Sequence, residues 1–192
     1  KERFPFDHPL YILFSSGTTG KPKCIVHGAG GTLLNHLKEH RLHTDLKEKD
    51  TLFYFTTTNW MMWNWLVSGL GTGSKIVLYD GDPLSRDGRI LFDIAEKERI
   101  SIFGTSAKFL SAIEKQGLHP RETHDLSSVH TILSTGSTLH APQFDYVYEH
   151  VHPTAQLSSV TGGTDIIGGF VVGSPVLPVR REELQARSLG YK

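Results

Sequence analysis

Between residues 51 and 160 the chain alternates short apolar runs with amphipathic ones, and this rhythm constrains its fold more than any other feature. Residues 51–55, 75–79, 100–103, 129–133 and 156–160 are short, rich in β-branched and aromatic side chains, and read as strands. Between them, 89–99 places Ile90, Leu91, Ile94 and Ala95 at helical spacing. Residues 106–116 and 141–151 also read as helices, the latter with Pro142 in its first turn. Strands alternating with helices of about ten residues predict an α/β fold, a mostly parallel sheet flanked by helices, with ligands at the strand C-termini. There is no internal repeat, low-complexity tract or linker, so one domain, or part of one, suffices.

Composition narrows the class. With 192 residues, 38% of them hydrophobic, the chain can bury a substantial core, and 20 basic against 20 acidic side chains argue against a nucleic-acid surface. A single cysteine makes no internal disulfide, and no run of about eighteen apolar residues spans a bilayer. No charged-then-apolar leader opens the chain, so a cytoplasmic location is the expectation. The chain starts at Lys1 without methionine and stops at Lys192 just after LQARSLG, which reads as a piece of a longer protein.

Ahead of the alternating region lies residues 10–23, LYILFSSGTTGKPK. Leu10, Tyr11, Ile12, Leu13 and Phe14 read as a buried strand, whereas Ser15, Ser16, Gly17, Thr18, Thr19 and Gly20 have almost nothing apolar to bury and must form a loop. Its glycines free backbone N–H groups to converge, its hydroxyls add donors, and Lys21 and Lys23 add positive charge. That is an anion cradle suited to a polyphosphate. The P-loop of nucleotide triphosphatases needs four residues between its glycines and a helix after its lysine. Here two residues separate Gly17 from Gly20, and Pro22 precedes Lys23, Cys24, Ile25 and Val26, which read as a second strand with Cys24 packed inside it.

Residues 32–43 carry Leu33, Leu34, Leu37 and Leu42 near helical spacing and read as a helix. His36, His40 and His43 then fall on its solvated face, since no acidic or cysteine partner completes a zinc site. After the strand at 51–55, three threonines and Asn59 precede Trp60, Met61, Met62, Trp63 and Trp65. Trp63, Trp65 and Leu66 read as core; Trp60 follows a polar strand end, where α/β folds place ligands. If the sheet is parallel, the Gly-rich loops Ser134-Thr135-Gly136-Ser137-Thr138 and Ser159-Val160-Thr161-Gly162-Gly163-Thr164-Asp165 leave it on the same edge.

On these motifs the chain resembles the adenylate-forming superfamily of acyl-CoA synthetases, luciferases and peptide-synthetase adenylation domains. SSGTTGKPK is similar to its phosphate-binding loop, and the resemblance runs through the whole chain in order. It implies that residues 1–192 are a partial AMP-binding (adenylation) domain, part of the large N-terminal domain, without the C-terminal lid domain, and inactive alone. The cofactors implied are ATP, Mg²⁺ and coenzyme A. Ser15, Ser16, Gly17, Thr18, Thr19, Gly20 and Lys23 would hold the β- and γ-phosphates, with Lys23 counted as catalytic. Thr135, Gly136 and Ser137 match the segment packed against adenine, where Gly-Glu-Pro or Gly-Ala-Pro is usual. Ser159, Val160, Thr161, Gly162, Gly163, Thr164 and Asp165 match the segment containing the Tyr-Gly-x-Thr-Glu motif. Thr164 would reach the α-phosphate and Asp165, in place of Glu, would bind Mg²⁺. Trp60, Met61 and Met62 would line the acyl and pantetheine pocket, and Gly162 would leave room for an acid longer than acetate.

The runs SVTGGTD and ELQARSLG resemble the acetoacetate-activating branch of the superfamily. The substrates implied are acetoacetate or a similar short acid, ATP and CoA. Three rivals stand beside this reading: a ligase for another short or medium acid, a nucleotide-binding module without catalysis, and a conventional P-loop NTPase.

Overall fold

A computed structural model describes residues 2–15 and 20–191. Its centre is a five-stranded sheet of β3 (Thr51–Tyr54), β4 (Lys75–Val77), β5 (Ile102–Thr105), β6 (Thr131–Ser134) and β7 (Gln156–Ser159), in the order β4-β3-β5-β6-β7. Every pairing in it is parallel. Consecutive residues point to opposite faces, and both faces are covered, as a parallel sheet requires. Phe53, Phe103 and Ile132 pack with α3 (Ile90–Lys97), α4 (Ala107–Lys115) and α6 (Ala141–Tyr146). Leu52, Tyr54, Ile102 and Leu133 pack on the other side with Met62, Trp65 and Leu66 of α2 (Met61–Ser68). Ser106 starts α4 by accepting the Phe109 amide on its hydroxyl at 3.2 Å. Residues 117–127 contain the short α5 (Pro120–Thr123).

Ahead of the sheet, β1 (Pro9–Ser15) and β2 (Lys23–Gly28) form an antiparallel hairpin, so the glycine-rich loop joins two strands rather than a strand and a helix. This removes the P-loop NTPase reading, whose cradle opens a helix. The expected buried strand is not buried. These strands pair only with each other, and Leu10, Ile12 and Phe14 share one face with Cys24 and Val26, all exposed, Phe14 to 66%. A short apolar run reports a strand, not whether its faces are covered.

Helix α1 (Ala29–Lys38) continues through a π-helical turn over Glu39–His43. The expected orientation is reversed: Leu33, Leu34 and Leu42 are exposed, whereas His36, at 0% exposure, and His40 and His43 are buried. The reason lies in what they meet. After β7 the chain does not end its strands but adds β8 (Thr161–Gly163), β9 (Gly168–Val172) and β10 (Ala186–Arg187) in a second, antiparallel sheet. Carbonyls of the β8–β9 segment face α1 and need donors, which imidazoles supply and leucines cannot.

Candidate functional site

Because β3, β5, β6 and β7 run parallel, their C-terminal loops open on one edge, and there a cavity of about 670 Å³ forms. It is lined by Trp60, Met61 and Met62 after β3, by Thr135, Gly136 and Ser137 after β6, and by Ser159 through Thr164 after β7. These sequence-predicted residues, distant in the chain, meet around one space. The two polar loops are tied directly: the Thr135 hydroxyl donates to the Val160 carbonyl at 2.6 Å.

Gly136 has a φ of +83°, a left-handed conformation that glycine adopts without a Cβ clash, and a Cβ there would lie 3.2 Å from the Trp60 indole. Trp60 in turn stands edge-on to Tyr54, ring centroids 6.1 Å apart. The Tyr54 hydroxyl donates to the Thr105 carbonyl at 2.8 Å, and burial pushes its phenol up, so it is neutral. The Ser137 hydroxyl is buried and has no partner among the described residues.

Gly162 lines the cavity, yet its missing side chain faces the other way. A Cβ there would run into the carbonyl of Gly168 and sit 2.7 Å from the Gly169 Cα. The glycine is required by the approach of β8 to β9, and the room it was expected to leave for a longer acid is occupied by strand backbone.

Of the remaining sequence-predicted residues, Ser15 ends β1 opposite Lys23, which begins β2 and is exposed, as is Gly20. None of the three lines the cavity. Ser16, Gly17, Thr18 and Thr19 lie outside the described residues. The hairpin nevertheless reaches the site through His27, whose Nε2 donates to the Thr164 carbonyl at 2.8 Å.

Asp165 sits at the β8–β9 turn, exposed and outside the cavity lining. Among the described residues no group of three or more His, Cys, Asp or Glu could hold a metal ion. A lone exposed carboxylate beside Thr164 does fit Mg²⁺ carried mainly by phosphates, which commonly takes only one or two protein carboxylates.

Sequence reasoning missed the polar floor of the cavity. Glu39 is buried and accepts from the Gly169 amide and from the Trp65 indole N–H, each at 2.9 Å. Burial pushes its carboxyl up, opposed by the Gly169 amide, Lys38 and Trp65. Lys38 Nζ lies 3.5 Å from it. His43 donates from Nδ1 to the Gly173 carbonyl at 2.8 Å and accepts from the Leu189 amide on Nε2 at 3.0 Å. His36, His40 and His43 were read as a solvated face, and Glu39, on the same stretch of helix, carried no signal of its own because a glutamate there is ordinarily solvated.

Comparison with known proteins places this geometry. A family model described as AMP-binding enzyme matches residues 1–190. The acetoacetyl-coenzyme A synthetase of Rhizobium meliloti (strain 1021) is 59% identical over 98% of this chain and 29% of its own length. That of Gallus gallus is 52% identical over 98% and 28%. In three dimensions the chain is similar to the acetoacetyl-CoA synthetase of Streptomyces lividans, TM-score 0.93 at 46% identity, covering 98% of this chain and 30% of that one. The anthranilate CoA ligase AuaEII, solved in complex with anthranoyl-AMP, shares the fold at TM-score 0.82 and 22% identity, covering 97% and 35%. The chain thus spans under a third of the length of the curated Rhizobium meliloti and Gallus gallus relatives.

Proposed function

This chain belongs to the AMP-binding enzyme family, and from that premise we propose that it is the central part of the large domain of an AMP-forming acid–thiol ligase. The reaction is acetoacetate + ATP + CoA to acetoacetyl-CoA + AMP + pyrophosphate, through an acyl adenylate. The observation that carries the reading is the convergence of Trp60–Met62, Thr135–Ser137 and Ser159–Thr164 on one cavity at the parallel-sheet edge. The choice of acid is supported by the synthetases at 59% and 52% identity.

A carboxylate is already a nucleophile near neutral pH, so adenylate formation needs no general base. It needs the acid held in line with the α-phosphorus and the charge on departing pyrophosphate offset. Thr164 points its loop at the α-phosphate, and Gly20 and Lys23, with Ser15 and the four residues following it, cradle the β- and γ-phosphates. Adenine packs against Thr135, Gly136 and Ser137, where the unpartnered Ser137 hydroxyl is a ready hydrogen-bonding group. Met61 and Met62 line the acyl end beside Trp60. Asp165 is the residue that would hold Mg²⁺, which when bound neutralises phosphate charge. In the second half-reaction the CoA thiol attacks the acyl carbon and AMP leaves.

The test is ATP–pyrophosphate exchange by the full-length protein carrying this chain, with each acid in turn. Exchange dependent on acetoacetate supports the reading. ATP binding without exchange for any acid supports a non-catalytic nucleotide-binding module instead. A ligase for another short acid is the second reading, favoured by a malonamoyl-CoA synthetase of Penicillium aethiopicum at 43% identity over 97% of this chain.

A further inference from the structure

The β8–β9 turn, residues 164–167, carries Thr164 and Asp165 and closes between Gly163 and Gly168, which pair across the hairpin. Its last residue, Ile167, has a φ of +47° and is buried at 3% exposure. A left-handed conformation is disfavoured for any side chain and most of all for a β-branched one, so something must hold it. Glycine or asparagine usually fills this position in such loops.

Two side chains of α1 hold it. The His36 Nε2 lies 2.7 Å from the Ile167 carbonyl, and Asn35 Nδ2 donates to the Ile166 and Ile167 carbonyls at 3.3 and 3.4 Å. A carbonyl only accepts, so the His36 proton is on Nε2. Its Nδ1 is buried without a partner among the described residues, which suits a lone pair and would penalise a second proton. Glu39 takes the Gly169 amide two residues further on. One helix face therefore grips the backbone of the turn, whose Thr164 lines the cavity and whose Asp165 is exposed.

We propose that His36 is a positioning residue: by holding the Ile167 carbonyl it fixes the left-handed turn and with it the aim of Thr164 and Asp165. The roles of those two rest on the ligase reading above; the clamp itself does not.

The experiment uses the full-length protein and three substitutions. His36→Met keeps length and volume but removes the donor, His36→Gln restores an N–H, and Asn35→Ala removes the second donor from a half-buried position. Amide hydrogen exchange over residues 164–169 is the first readout. We expect about tenfold faster exchange in His36→Met, near-unaltered exchange in His36→Gln, and about threefold faster exchange in Asn35→Ala. The second readout is acid-dependent pyrophosphate exchange, where His36→Met lowers kcat about tenfold or more with KM for the acid unchanged, and His36→Gln recovers it. Unaltered protection in a folded His36→Met, or equal loss in His36→Met and His36→Gln, overturns the proposal. Should His36→Met fail to fold, unaltered protection in Asn35→Ala together with lost protection in His36→Gln overturns it. Should the unaltered protein form no adenylate, the ligase reading fails while amide exchange still decides the clamp.

Discussion

His27 and Thr164, 137 residues apart in sequence, are joined by one hydrogen bond of 2.8 Å from the imidazole Nε2 to the carbonyl oxygen. It ties the hairpin that carries the glycine-rich loop to the turn that carries Asp165. The two segments assigned to the phosphates are thereby held in one frame.

That bond predicts that His27→Ala lowers adenylate formation while costing only about 1 kcal/mol of stability, the typical net value of a part-buried hydrogen bond. His27→Gln, which can donate along the same direction, should retain most activity. Thermal unfolding and pyrophosphate exchange on the same preparations check both halves.

Stability should fall as the pH drops below 6.5. Burial holds His36 at about 4 and His40 at about 3, below the ordinary 6.5, so the unfolded chain takes up protons that the folded chain refuses. The loss begins at pH 6.5 and grows until about 4 for His36 and about 3 for His40, where each titrates in the fold. By pH 5 each histidine accounts for roughly 2 kcal/mol. Glu39, whose carboxyl is pushed up, acts in the opposite direction over its own range. Urea unfolding midpoints at pH 7.5 and 5 measure the slope, and His40→Met should flatten it.

Glu39→Gln should cost about 1–3 kcal/mol even though it is nearly isosteric. The carboxylate offers an acceptor to each of two donors, the Gly169 amide and the Trp65 indole. An amide offers one acceptor and sets its own N–H against the other donor. Chemical denaturation measures the loss, and Trp65 fluorescence should report the altered indole contact.

Gly162→Ala separates two accounts of that glycine. If it only opened the acyl pocket, alanine would shift preference towards smaller acids and leave stability alone. With its Cβ position filled by β9 backbone, alanine should destabilise the protein by about 1–3 kcal/mol before any change in acid preference. Melting temperature against relative rates with acetate and acetoacetate distinguishes them.

The sheet was legible because its signal is local: Phe53, Phe103 and Ile132 sit in short apolar runs whose lengths allow only strands, separated by runs that allow helices. The loops of the site were legible for the same reason, as glycine and hydroxyl clusters directly after those runs. Which face an element buries was not. For α1 the leucines suggested one side, but the opposing surface is backbone carbonyl, and that becomes visible only when residues near 36 and near 167 are brought together. β1 failed in the complementary way, its apolar run identifying a strand while Ile12 and Phe14 stay exposed on a two-stranded ribbon. Glu39 was invisible because a glutamate on a helix is ordinarily solvated.

The central claim is that the cavity between Trp60, Thr135 and Thr164 forms an acyl adenylate. Hydroxylamine trapping on the full-length protein with ATP, Mg²⁺ and acetoacetate, with acetate and butyrate as competing acids, tests it most directly. The account predicts a hydroxamate that requires ATP and forms preferentially from acetoacetate. Hydroxamate from none of the acids, under conditions where ATP binds, would contradict it.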